Sequence, residues 1–327
     1  MKILFVYPTR SSFVEKDLRL LQEAHQVREL HYTGLGSLPA LARGVMWCDA
    51  TFSWFGALHA FWTVLFSRFL GKKSLVVAGG YDVVRMPELP SYGLLSRRWK
   101  GWCPRYVFRR AHLTLAVSHF TRQQAIANAG APEARMRTIY HGFDAATFAP
   151  VPEAVRADMV LAVRGISNIS IPITGLDIFM AAARLMPHLP FRLVGPWLDE
   201  SVHRLKDMAT PNVTFAGGLY GQELINAYSR SKVFFQVSRQ ESFGCALAEA
   251  MLCECVPVVS RRGALPEVVG DCGFYVDSLE PGEVAERIGE ALSSNLGPLA
   301  RERIKELFPL EKRKRELLAV LEELQET

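Results

Sequence analysis

Residues 232–259 read KVFFQVSRQESFGCALAEAMLCECVPVV, and their order of patterns decides the fold class. The opening run, Lys232 to Ser238, is apolar, β-branched and aromatic and stops at polar residues, as a buried strand does. Val256 to Val259 (VPVV) repeats that pattern. Between the two, Gly244 permits a tight turn and Ala246 to Met251 are strong helix formers. Strand, loop, helix, strand is the unit of a parallel α/β sheet. Glu241 then lies in a loop at the carboxyl end of a strand, and Glu249 lies more than a turn inside the helix. The amides of Ser242, Phe243 and Gly244 are expected to be free at the helix N-terminus, a place that attracts phosphate. Two carboxylates flanking such a nest suit a ligand with phosphate in the middle and hydroxyl-rich rings at both ends, the shape of a nucleotide sugar.

The longer block VSRQESFGCALAEAMLCECVPVVSRRGALPEVVGDCGFYVD closely resembles the donor site of the retaining glycosyltransferases of family four. That family has the GT-B fold, two Rossmann-like domains facing each other across a cleft. The resemblance covers nearly the whole chain, strongest over residues 230–277 and weak before 75. It implies that Glu241 binds sugar hydroxyls and is central to catalysis, that Glu249 binds the ribose, and that Glu267 in the Pro-Glu loop belongs to the donor site with Ser242, Phe243 and Gly244. It also implies metal-independent hexosyl transfer with no protein nucleophile and no cofactor, the nucleotide sugar being a substrate. Family members hold the diphosphate with an Arg after the first strand of the second domain and a Lys before the next helix. Arg164, in LAVRG, matches the Arg and is the expected catalytic cation; Thr174, in ITGLDIF, stands where Lys is usual. One cation at ~4 Å in a site of effective dielectric ~20 contributes on the order of 4 kcal/mol, whereas a hydroxyl bond gives about 1 kcal/mol. Arg10, Arg239, Arg261 and Arg262 are therefore candidates for the missing charge. Two other readings stand beside transfer: a noncatalytic nucleotide-sugar-binding GT-B protein, and a GT-B sugar-nucleotide epimerase.

A chain of 327 residues, 49% of them hydrophobic, fills two cores comfortably. The expected boundary lies near two prolines at residue 150, giving an acceptor-side domain over 1–150 and a donor domain over 151–309. By resemblance, the helix at 310–327 packs back on the first domain. Residues 1–150 hold 19 Lys and Arg against 9 Asp and Glu, hence +10, while the remainder holds 19 against 24, hence −5. A basic half points to an anionic partner.

Met1 to Tyr7 is an apolar run typical of a central parallel strand, so the loops Pro8 to Phe13 and Gly79 to Asp82 are expected at carboxyl ends of strands. The second, AGGYD, resembles a family loop that often holds a catalytic-site His. Gly79 stands in that place, which leaves Asp82 as the candidate catalytic group or, equally, a turn or cap residue. Residues 52–70 are apolar enough to suggest a membrane span, but Gly56 splits them into a strand and a helix. Arg97 to Arg110, RRWKGWCPRYVFRR, interleaves cations with aromatics. Arg97, Arg98, Trp99, Lys100 and Trp102 thus suit contact with an anionic bilayer or an acceptor; a solvated helix with one aromatic face in the core is the alternative. The six cysteines show neither a disulfide framework nor metal-ligand spacing, no leader is expected, and no nucleic-acid reading surface stands out. The expected setting is the cytoplasm, with peripheral contact at the inner face of the membrane. The expected partners are a nucleotide-sugar donor and a glycan or lipid-linked acceptor.

Overall fold

Five consecutive buried residues, Ile3 to Tyr7, make β1 (Lys2–Tyr7) a strand covered on both faces, as a central parallel strand must be. It joins β2 (Gln26–His31), β3 (Ala50–Trp54), β4 (Lys73–Ala78), β5 (Leu113–Ala116) and β6 (Met136–Thr138) in a parallel sheet of order β2-β1-β3-β4-β5-β6. A second parallel sheet, of order β12-β11-β10-β7-β8-β9, is built from β7 (Ala157–Val163), β8 (Phe191–Val194), β9 (Val213–Gly217), β10 (Ser231–Gln236), β11 (Val256–Ser260) and β12 (Phe274–Val276). In each sheet the strand order reverses beside the first strand, between β1 and β3 and between β7 and β10. Loops diverge there and leave a crevice at the carboxyl ends of the strands. The computed structural model describes residues 1–96 and 101–326.

The chain divides into two units, Met1–Gly142 with Leu310–Thr327, and Phe143–Pro309. Residues 143–150, expected on the first side of the boundary, fall in the second unit for identifiable reasons. The Phe143 amide donates to the Phe308 carbonyl at 2.9 Å, and the Arg301 guanidinium donates to the carbonyls of Phe148 and Ala145 at 2.8 and 3.0 Å. The helix Leu310–Glu326 belongs to unit 1, where Leu317, Val320, Leu321 and Leu324 join the core with Leu18 and Leu21. Arg313 fixes it in place with two bonds of 2.6 Å to the carboxylate of Asp17, both side chains being buried. Removing one partner of such a pair leaves an uncompensated buried charge, at a cost of about 3–5 kcal/mol.

The apolar 52–70 stretch forms the end of β3 and the helix Leu58–Phe69, with Phe55 between them at φ 69°. Among the described residues no helix is long and apolar enough to cross a membrane.

Candidate functional site

In unit 2, the pairing of Val233 with Val160 and of Phe234 with Leu161 brings the ends of β10 and β7 side by side. Arg164 follows β7 and Glu241 lies in the loop after β10. The Arg164 guanidinium donates to Glu241 Oε2 at 2.6 Å, and the Gln236 carboxamide donates to the same oxygen at 2.8 Å. Arg164 and Glu241 keep 20% and 17% side-chain exposure, enough for a ligand to reach them. Two glycines permit this arrangement. A side chain at Gly195, where φ is +151°, would run into the Arg164 carbonyl at 1.7 Å; one at Gly263 would run into the Glu241 carbonyl at 2.1 Å. Ala264 then donates its amide to that Glu241 carbonyl at 3.0 Å.

Gln236 escaped the reading of residues, although an amide side chain inside a buried apolar strand is a signal in itself. It is 1% exposed, and its Oε1 has no hydrogen-bond partner, nor do Ser238 Oγ and Gln240 Nε2. Unsatisfied buried polar atoms are few in native proteins, and among the described residues three of them fall within five positions just before Glu241.

Glu249 lies half-buried in the helix Cys245–Leu252 and accepts from the hydroxyl of the buried Tyr228 at 3.2 Å. Burial, together with the Glu249 charge, pushes that phenol well above its ordinary pKa, so Tyr228 stays a donor that holds Glu249 in one orientation. The nest before this helix differs from expectation. Gly244 takes the turn at φ +99°, but the Ser242 amide donates to its neighbour's Glu241 Oε1 at 3.2 Å, so it is not free. Phe243 is buried, its ring stacked on Phe143 at 5.8 Å and edge-on to Phe308 at 5.3 Å. Its side chain anchors the loop from beneath. Glu267 sits in the helix Leu265–Val269, just after the Gly263–Ala264 segment that holds Glu241, and its carbonyl accepts from Arg303 at 2.9 Å.

Thr174 ends the short helix Ser170–Thr174, and its hydroxyl turns back to the Ser170 carbonyl at 2.7 Å. Gly175 follows at φ +74°, closely covering the Val237 carbonyl, so this turn is seated against the loop that leads to Glu241. Of the candidate replacement cations, Arg239 is the one packed on this turn. Its guanidinium is paired with Asp177 at 3.0 and 2.9 Å and also donates to the Pro172 carbonyl. Arg261 is paired with Asp277 at 3.0 Å and lies 4.2 Å from the Tyr275 ring. Arg262 is exposed. Arg10 belongs to unit 1, at 3.7 and 3.9 Å from Glu15 and Glu29.

At the reversal point of unit 1 a cavity of about 380 Å³ is lined by Pro8, Phe13, Phe55, Tyr81, Asp82 and Leu94 among others. Asp82 is 1% exposed and accepts the Gly56 amide on one oxygen at 2.7 Å and the Gly80 amide on the other at 2.8 Å. Its carboxylate therefore clamps two loops together. Burial raises its pKa, while the amides oppose that shift. A side chain at Gly79 would meet Phe55 ring atoms at 2.2 and 2.5 Å, so this position is closed by an aromatic ring. Arg97, Arg98, Trp99 and Lys100 lie outside the described residues. Trp102 opens the helix Trp102–Arg110, 53% exposed and edge-on to Phe61 at 4.9 Å.

The sequence pattern of the family described as "Glycosyl transferases group 1" matches residues 160–294, and that of "Glycosyltransferase Family 4" matches residues 53–147. The D-inositol 3-phosphate glycosyltransferase of Mycolicibacterium vanbaalenii is 28% identical over 204 residues, covering 55% of this chain and 45% of that protein. The GDP-mannose-dependent alpha-(1-6)-phosphatidylinositol monomannoside mannosyltransferase of Mycolicibacterium smegmatis is 27% identical over 205 residues, covering 56% of this chain and 53% of that protein. These alignments span about half the length of the curated relatives. Among solved structures, Anabaena HepE in complex with UDP and glucose superposes with a TM-score of 0.78 at 18% identity, covering 98% of this chain and 99% of that one.

Proposed function

We propose that this chain, which belongs to the family-four glycosyltransferases and has their GT-B fold of two Rossmann-like domains, moves a sugar from a nucleotide-sugar donor to an acceptor hydroxyl with retention of configuration. The observation that carries the reading is the Arg164–Glu241–Gln236 cluster at the reversal point of the second sheet. Glu241 orients the sugar hydroxyls. Arg164 faces the diphosphate, and Glu249, held by Tyr228, takes the ribose. The acceptor oxygen forms its bond to the anomeric carbon on the face from which the diphosphate leaves. The carbon–phosphate-oxygen bond breaks with its electron pair on the diphosphate, and the acceptor proton passes to a leaving phosphate oxygen. No group on the chain is asked to carry that proton, which fits an Asp82 tied to main-chain amides. The relatives named above and the UDP and glucose held by HepE support a nucleotide-sugar donor. The apolar cavity of unit 1 supports an acceptor with an apolar part, such as a lipid-linked glycan, and the basic composition of residues 97–110 supports peripheral contact with a membrane.

A second reading, binding without turnover, is favoured by the charge around the phosphate position. Arg164 is paired with Glu241, Arg239 with Asp177, and the Thr174 hydroxyl donates to its own helix. Incubation with UDP- and GDP-sugars separates the two. Transfer requires nucleoside diphosphate release that depends on Glu241; ligand-induced stabilisation without release supports the binding reading, and interconversion of the sugar without release would indicate the epimerase.

A further inference from the structure

At the amino ends of the first sheet, away from the reversal point, a cavity of about 290 Å³ is lined by Arg68, Lys73, His112, Arg135, Arg137 and Glu323 among others. Lys73 opens β4, His112 precedes β5 and Arg135 precedes β6, so the sheet itself spaces these groups. Arg137 is neutralised by Glu323 at 2.6 Å. Among the described residues none of Arg68, Lys73 and Arg135 has a carboxylate partner; Arg68 donates to the Arg110 carbonyl at 3.4 Å. His112 Nδ1 accepts from the Ser74 amide at 3.1 Å, which leaves the proton of the neutral ring on Nε2. Burial, and then the charges of Lys73, Arg68 and Arg135, push the His112 imidazole below its ordinary pKa, as expected where positive charge is left uncompensated.

Three cations gathered in one concavity repel one another unless an anion joins them, and such a hollow concentrates anions. We propose that this pocket binds a phosphate group, with Arg68, Lys73 and Arg135 as its charge partners and His112 as a neutral donor. The volume falls just below the roughly 300–1,000 Å³ of sites for whole small-molecule ligands. It therefore suits a phosphate with one substituent rather than a nucleotide sugar. The phosphate can come from a soluble phosphoester or from a lipid headgroup. Phe69, 88% exposed, and Leu70 follow Arg68 directly and would enter the interface in the second case. None of these residues takes part in the proposed transfer, so the pocket stands or falls separately from it.

The test follows the His112 ring signals, assigned with His112→Gln, while inorganic phosphate is added to the full chain at constant ionic strength. A saturable shift and a raised His112 pKa are expected, with affinity reduced at least ~10-fold in the double variant Lys73→Gln, Arg135→Gln. Sedimentation with phosphatidylglycerol vesicles but not with phosphatidylcholine vesicles, lost in the double variant and in Phe69→Ser, assigns the phosphate to a lipid. Phosphate binding without sedimentation assigns it to a soluble compound. No His112 response to phosphate, an equal response to chloride, or an equal response in the double variant overturns the proposal.

Discussion

In unit 2 the carboxyl ends of β7 and β10 set a guanidinium and a carboxamide at 2.6 and 2.8 Å from one carboxylate oxygen. In unit 1 the equivalent loops gather Pro8, Phe13, Phe55 and Tyr81 round a cavity whose buried carboxylate, Asp82, is tied to the main chain. Both places are the reversal point of a six-stranded parallel sheet. Topology therefore decides where a ligand is met, and the loop residues decide which ligand it is. A polar, partly unsatisfied site suits hydroxyls and phosphate. An apolar one suits the hydrocarbon part of an acceptor.

Glu241→Ala breaks the polar half of this comparison most severely. It leaves Arg164 and Gln236 without their shared partner and is expected to lower kcat/KM about 10³-fold, measured by nucleoside diphosphate release, with the fold monitored by melting. Full activity in this variant would remove the assignment.

Unit 1 differs also in its buried imidazoles. Burial holds His59 at about 4 and, with the charges of Arg313 and Lys16, His141 well below its ordinary value. The unfolded chain protonates these rings near pH 6.5 and the folded chain only at lower pH. Their contribution to stability is thus present above pH 6.5 and lost as pH falls. For His59 alone the loss reaches about 3 kcal/mol by pH 4. Asp82, with its raised pKa, acts in the opposite direction, because the folded carboxyl takes its proton before the unfolded one does. Denaturant midpoints between pH 7 and 4.5 should fall, with a shallower slope in His59→Gln; an unchanged slope would contradict the account.

Gly79→Ala tests the apolar half. Its new methyl group meets the Phe55 ring at 2.2 Å and should destabilise the protein by about 1–3 kcal/mol. The double variant with Phe55→Ala should recover most of that, and equal melting of single and double variants would show that the ring does not set the limit. The smallest expected effect is Thr174→Lys. It adds a cation beside the Glu241 loop and gives up a bond worth about 1 kcal/mol, so turnover should rise roughly 10-fold, or about 1.4 kcal/mol. No gain would mean that the lack of a cation at position 174 is not what limits this protein.

The strands were legible because parallel strands buried on both faces must be continuous apolar runs. Ile3 to Tyr7 and Val256 to Val259 are of this kind. Glu241 and Arg164 were legible as residue types at strand ends. Their partnership was not, since it depends on the β7–β10 register, which pairs residues more than seventy positions apart. Tyr228 and the Phe55 ring over Gly79 were hidden for the same reason: each acts through a neighbour more than twenty positions away.

By itself the sequence determined the alternation of strand and helix, the two cores, and the acids and cation available at the ends of the second sheet, because periodicity and residue chemistry are local properties. The tertiary structure alone decided which of them are engaged. It tied Asp82 to the amides of Gly56 and Gly80, turned the Thr174 hydroxyl inward, buried Phe243 and set Glu241 against Arg164. Hydrogen bonds and ion pairs act over about 3 Å, and only the folding of distant segments onto one another brings groups that close.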